Sequence, residues 1–207
     1  MLFRSTAPAT APDHDRSSYF LAANRNKRGI VLDLAAEPGR AALARLIARS
    51  DVLVESYRPG SLARLGFPDD VLARLNPRLV HLAITGYGPD GPGADRPGFD
   101  LVIQAASGLM SITGQPDAKG GSPTKVGVAV TDLAAGMIGA VHVLAALRAR
   151  DEPGGPEAGR GRRIDLPLLD ATLSWLANQA TATLDAAVVP GRLGNAHPGI
   201  TPYEAFP

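Results

Sequence analysis

SDVLVESYRPGSLARLGFPDDVLARLNPRLVHLAIT, residues 50–85, is the stretch whose reading decides the fold. It opens on DVLVES (51–56) and closes on LVHLAIT (79–85), two short apolar runs bounded by polar residues. Continuous apolar runs of this length mark strands that are covered on both faces. Between them, YRPGSLARLGF predicts a turn and a short helix. PDDVLARLN (68–76) predicts a second helix, with Asp69 and Asp70 in the first turn where the macrodipole favours acids. A helical connection of this length makes the two strands parallel neighbours joined by a crossover.

The pattern extends in both directions. Upstream, a basic patch, NRNKRG, carries Arg25, Lys27 and Arg28, and IVLDL (30–34) reads as another strand. EPGRAALARLIARS follows with Ala41, Leu43, Leu46 and Ile47 at amphipathic spacing and Pro38 in the first turn, which tolerates it. The order strand, helix, strand, helix, strand predicts an α/β fold: a parallel sheet with flanking helices and right-handed crossovers. Downstream, GYGPDGPGADRPGFD (86–100) is a glycine- and proline-dense loop of the length that often serves function. LVIQAASGLMSIT is expected to be helical, GQPDAKGGSPTK a loop, and Asp132–Arg150 a buried core helix. The GRGRR run (159–163) is expected on a solvated loop, and RIDLP as a brief strand leading into one long helix. Residues 1–18 are expected to form a flexible tail, and residues 19–207 the globular part.

The chain has 207 residues, 45% of them hydrophobic and 20% charged, with a net charge of +1. That balance gives no global attraction to nucleic acid or an anionic membrane, so neither is an expected partner. There is no cysteine, which excludes thiolate catalysis and fits a cytoplasmic location. The first residues do not read as a signal peptide. His14, His81, His142 and His197 show no HExxH or other ligand spacing, so no metal site is expected, and each reads as a surface or satisfied histidine. GYGPDG matches GxGxxG by spacing, but prolines follow where that fingerprint needs a helix. Neither a P-loop nor a GxSxG elbow is present.

Carboxylates and arginines remain. Between Val126 and Leu147 the sequence carries one formal charge, Asp132, at the mouth of the apolar helix. Asp132 could cap that helix, or Thr131 could, with Asp132 inside the first turn. Position alone favours the cap, but the helix N-terminus would also keep Asp132 ionised and usable as a nucleophile. Arg58 and Arg64 flank the turn after the second strand, where open α/β sheets bind ligands and where arginine suits phosphate.

Seven phrases together resemble the class III CoA-transferases, the family of the formyl-CoA and carnitine CoA-transferases. They are LAANRNKRGIVLDL, SDVLVESYRPGSLARLGF, LNPRLVHLAITGYGPDGP, RPGFDLVIQAASGLMSITG, KVGVAVTDLAAGMIGAVHVLAAL, GRGRRIDLPLLDATLSWLAN and HPGITPYEAFP. The resemblance runs from Tyr19 to the end of the chain. It implies a Rossmann-like large domain, present in part, and an acyl-CoA:carboxylate CoA-transferase. The resemblance places the catalytic nucleophile on Asp132, passing through an aspartyl mixed anhydride and an aspartyl-CoA thioester. An apolar setting would keep water from such activated species.

The same resemblance implies coenzyme A contacts at Leu32, Asp33, Leu34 and Ala35, at Ser56, Tyr57 and Arg58, at Arg64, and at Arg96, Phe99 and Asp100. Relatives often carry lysine where Ala35 stands, a contact that Arg25, Lys27 or Arg28 could replace. No permanently bound cofactor is implied. The partners are an acyl-CoA, a small carboxylic acid and, for a complete enzyme, a second subunit in an interlocked homodimer. The α-methylacyl-CoA racemases share this fold but use a histidine where Phe99 stands, which favours transfer over racemisation. Family members also begin with a further strand–helix–strand unit and continue into a smaller domain. The chain is therefore expected to correspond to the middle of such an enzyme, and a remnant that only binds coenzyme A or pairs with another subunit is the alternative.

Overall fold

A computed structural model describes residues 17–203 and divides the chain into two units, one running to Asp33 and one beginning at Leu34. The tail expected over 1–18 lies outside the described residues except for Ser17 and Ser18. In the first unit these two cap and open α1 (Ser18–Ala23), with Ser17 Oγ accepting the Phe20 N–H at 3.1 Å. The strand expected over IVLDL does not form: residues 27–33 belong to no regular element. A strand exists only where a neighbour takes its N–H and C=O groups. No described strand pairs with this run, and Val31 is 98% exposed.

In the second unit, α2 (Glu37–Ile47), β1 (Val52–Glu55), α3 (Ser61–Arg64), α4 (Asp69–Leu75) and β2 (Val80–Thr85) follow the expected order. Pro38 sits in the first turn of α2. After them come α5 (Asp100–Ala106), α6 (Leu109–Ile112), α7 (Val130–Asp151), β3 (Arg162–Pro167), α8 (Leu168–Leu173) and α9 (Ala177–Ala186). The sheet has the order β1-β2-β3, and both pairings are parallel, with Val52 opposite Val80 and Val80 opposite Arg162. The central β2 is buried nearly throughout, as a strand covered on both faces must be.

Alternation along β2 divides the core in two. Leu82 joins Ile103, Ala135, Leu166, Leu168 and Ala171 under α5, α7 and α8. The opposite parity, with Leu53 of β1, belongs to the cluster of Ile47, Leu62, Phe67, Leu72 and Leu79 under α2, α3 and α4. The structure is thus a parallel α/β sheet with helices on both sides, as predicted.

Three expectations are corrected. Arg162 and Arg163 lie in β3 rather than on a solvated loop, and Arg163 binds both Asp165 and Asp69 at 2.8 Å. The long helix after β3 breaks into α8, a 3-10 turn (Ser174–Leu176) and α9. Thr172 and Ser174 hydroxyls donate to the Leu168 and Ala171 carbonyls at the break, competing with the helical ladder. The helix α7 is a core helix on one face only. Ala134, Ala135, Gly139 and Ala146 are buried, whereas Leu133, Met137, Val141 and Leu144 are each more than half exposed. By length and composition α7 could cross a membrane. Its small-residue face lies instead on the sheet: a Cβ at Gly139 would sit 2.9 Å from Leu82 Cδ2.

Candidate active site

The carboxyl end of β1, the end of β2, the loop after it and the start of α7 converge on a cleft of about 380 Å³. Ser56, Tyr57 and Arg58 enter it from the turn after β1, as the rule for ligand sites in open α/β sheets predicts. Arg96 enters from the long loop, and Asp132 from the first turn of α7, with Ala135 and Gly136 beside it on the same helix. A Cβ at Gly136 would meet nothing within 4 Å, so the helix leaves open space one turn beyond Asp132.

The loop reaches the cleft because its two ends touch. A Cβ on Gly86 would lie 2.5 Å from Gly98 Cα, so only glycine fits at this crossing of backbones. The crossing brings Pro97 and Arg96 over the end of β2. Thr85 Oγ1 accepts the Gly88 N–H at 3.0 Å and holds the first turn of the loop.

Asp132 is not a helix cap. The N-cap position of α7 is Ala129, which has no capping side chain. Nor does Thr131 act as cap through its own oxygen: its N–H and Oγ1 both lie on Asp100 Oδ1, at 3.0 and 2.9 Å. The cap is therefore supplied by another helix. Asp132 accepts no hydrogen bond from the described residues, and its carboxyl titrates above the ordinary carboxylate value. Partial burial is the larger cause and the Asp100 charge the second. The helix N-terminus was expected to favour the ionised form, and these two effects reverse that expectation.

The remaining predicted contacts fall elsewhere. Leu32 and Asp33 end the first unit, and the carbonyls of Leu34 and Ala35 accept from Arg40 Nη1 at 3.3 and 2.6 Å. Arg64 lies on α3 with its Nη2 2.7 Å from Ser61 Oγ, and does not line the cleft. Phe99 precedes α5 with an exposed ring. Asp100 lies beneath the start of α7 rather than on the cleft wall. Gln104 was missed in the sequence and Thr131 was read only as a possible cap; both are fully buried. A glutamine and a threonine among apolar residues give no periodic signal; only the rule that buried polar groups need partners marks them.

A second cavity of about 430 Å³ lies across Pro59 and Thr85, with Glu55, Asp69, His81, Arg163 and Asp165 on its walls. His81 was expected to be satisfied or at the surface. It is buried, and its Nε2 makes no hydrogen bond, standing 3.8 Å from Glu55 Oε1. Burial, and then the Arg163 charge, lower its pKa. No cluster of metal-ligating side chains occurs among the described residues.

A parallel α/β sheet thus carries, beyond the carboxyl ends of its strands, a cleft lined by one partly buried carboxylate and two arginines. The family model "CoA-transferase family III" matches residues 2–207, and the chain belongs to that family. The chain is 43% identical to the succinate–glutarate CoA-transferase of Agrobacterium fabrum, over 92% of its own length and 46% of that protein. It is 39% identical to the acetyl-CoA:oxalate CoA-transferase of Acetobacter aceti, over 93% of its own length and 48% of the relative. The crystal structure of a CAIB/BAIF family protein from Brucella suis superposes with a TM-score of 0.81 at 40% identity, over 91% of this chain and 48% of that one. The chain thus spans about half the length of the relatives it matches.

Proposed function

We propose that this chain carries the nucleophile and part of the coenzyme A site of an acyl-CoA:carboxylate CoA-transferase, with Asp132 as the nucleophile. The observation that carries the reading is the cleft itself, which collects Asp132, Ser56, Tyr57, Arg58 and Arg96 from separate parts of the sequence. An Asp132 oxygen attacks the thioester carbonyl carbon, the C–S bond breaks, and coenzyme A leaves as thiolate. The product is a mixed anhydride between Asp132 and the donor acid. The thiolate then attacks the Asp132 carbonyl, releasing the donor carboxylate and leaving an aspartyl-CoA thioester. The acceptor carboxylate reverses the two steps.

A carboxylate with few hydrogen bonds suits the first step, because each bond to it would have to weaken during attack. On this reading Arg58 and Arg96, which line the cleft, meet phosphate or the acceptor carboxylate. Arg64, Leu32–Ala35, Phe99 and Asp100 rest on the resemblance alone as coenzyme A contacts. The relatives named above act on succinate, glutarate and oxalate, and we extend to this chain a small dicarboxylic acid as acceptor. On this reading the working enzyme is a cytoplasmic homodimer with no permanently bound cofactor.

The test is intact-protein mass spectrometry after incubation with succinyl-CoA. An adduct mapped to Asp132, released by hydroxylamine and absent from Asp132→Ala, is the expected result. A folded protein that binds coenzyme A but forms no adduct would overturn the proposal in favour of a binding remnant.

A further inference from the structure

Gln104 of α5 is fully buried, and both ends of its amide are used. Its Oε1 accepts the Val126 N–H at 2.8 Å, and its Nε2 donates to Asp100 Oδ2 at 2.7 Å. The other Asp100 oxygen receives Thr131 N–H and Oγ1. The Val126 N–H can only donate, so the amide must turn its oxygen there and its nitrogen toward residue 100. Residue 100 then meets donors on both sides. An ionised carboxylate accepts through both oxygens, whereas an asparagine would set its own NH₂ against one of the donors. The hydrogen-bond directions thus select a carboxyl group over an amide at residue 100, close to the first turn of α7.

We infer that Asp100 and Gln104 are positioning residues for Asp132: their directed hydrogen-bond chain ties residues 126 and 131 to α5 and fixes a negative charge beside the reactive carboxylate. The inference rests on the proposed role of Asp132 and moves Asp100 from the coenzyme A contacts to the support of the nucleophile. Because α7 has no capping side chain of its own, its start is registered against α5. Asp100 also takes the Thr131 N–H, one of the free donors at the helix start, so Asp132 keeps less of the stabilisation that end of the helix offers. Arg58 and Arg96 line the same cleft and oppose the effect of Asp100 on Asp132. The like charge leaves Asp132 a more basic carboxylate, and a more basic carboxylate is a better nucleophile toward a thioester.

The test uses the whole 207-residue chain with ¹³C-labelled aspartate, comparing wild type with Asp100→Asn and Gln104→Leu. Asp100→Asn is expected to move the Asp132 titration down toward the ordinary carboxylate value. It is also expected to speed amide exchange at Thr131 by about fivefold to tenfold, the loss of one hydrogen bond. Gln104→Leu is expected to do the same at Val126. An unmoved Asp132 titration in a natively folded Asp100→Asn, or wild-type exchange at both amides, overturns the inference. Should Asp100→Asn not fold, Thr131→Val, which removes only the hydroxyl donor, decides it. In that variant the Asp100 charge remains, so the Asp132 titration should stay raised while amide exchange at residue 131 speeds up; wild-type exchange there overturns the inference. Neither readout needs Asp132 to capture an acyl group, so a missing adduct with these shifts present would count against the proposed function alone.

Discussion

The two ends of α7 treat charge in opposite ways. At the carboxyl end Arg150 is only 5% exposed, yet all three of its guanidinium nitrogens are hydrogen-bonded. Nε and Nη2 bind Asp151 at 2.9 and 3.0 Å, Nη2 also binds Asp51 at 3.1 Å, and Nη1 donates to the Arg78 carbonyl at 3.1 Å. A cation at this end also complements the macrodipole. Its pKa is raised, first by the Asp151 hydrogen bond. At the amino end Asp132 has the sign the dipole favours but no partner among the described residues, and a like charge stands beside it. Satisfied charge marks structure, and unsatisfied charge held in place by its surroundings marks chemistry.

The largest effect expected is on Asp132→Ala, which should reduce acyl capture by roughly 10⁴-fold or more, as loss of a nucleophile does. Its folding stability should stay within about 0.5 kcal/mol of wild type, because no hydrogen bond is lost. Urea denaturation beside the capture assay checks both. A large loss of stability would erase the contrast between the two ends.

Arg150→Met should do the reverse. The methionine replaces the apolar stem, but the Arg78 carbonyl and two carboxylates lose their donor. Asp51 and Asp151 are exposed and can turn to water, so the expected loss is about 2–3 kcal/mol rather than the larger cost of stranding a buried charge. Capture by the folded fraction should be unchanged.

Gly86→Ala probes the loop that brings Arg96 into the cleft with Asp132. Its Cβ meets backbone at Gly98, which cannot rotate away, so a loss of about 1–3 kcal/mol is expected. Coenzyme A binding by calorimetry should weaken with it. Unchanged affinity would mean that Arg96 contributes nothing to the cleft.

The sheet and most helices were legible in the sequence because burial on both faces leaves continuous apolar runs, as in VHLAIT. IVLDL has the same signature but no strand beside it, and a signature of burial cannot report the neighbour it needs. Asp132 stood out as a lone charge, and Ser56, Tyr57, Arg58 and Arg96 were expected as coenzyme A contacts; the cleft brings all five together. Arg64 lies outside this cleft because the helix α3 carries it away from a loop that reads as one patch in sequence. The Asp100–Gln104 chain was illegible for another reason. Its meaning lies in which atoms donate and which accept across 31 residues, and no spacing records that.

The smallest effect carries the sharpest form of the comparison, because it predicts opposite signs from one helix. The Asp132 pKa is raised in the fold above 3.8, so its contribution to stability is complete below 3.8 and is lost as pH rises through the raised value. The Asp151 pKa is lowered, chiefly by its hydrogen bond to Arg150, so its contribution is complete above 3.8 and is lost as pH falls through the lowered value. Relative to wild type, Asp132→Asn should therefore become more stabilising as pH rises from the acid range toward neutrality. Asp151→Asn should become more destabilising over the same range. Urea midpoints for the three proteins across that range give two difference curves of opposite slope. Two curves of the same slope would make Asp132 an ordinary acid at a helix start, with no more poise for attack than Asp69 or Asp70 in the first turn of α4.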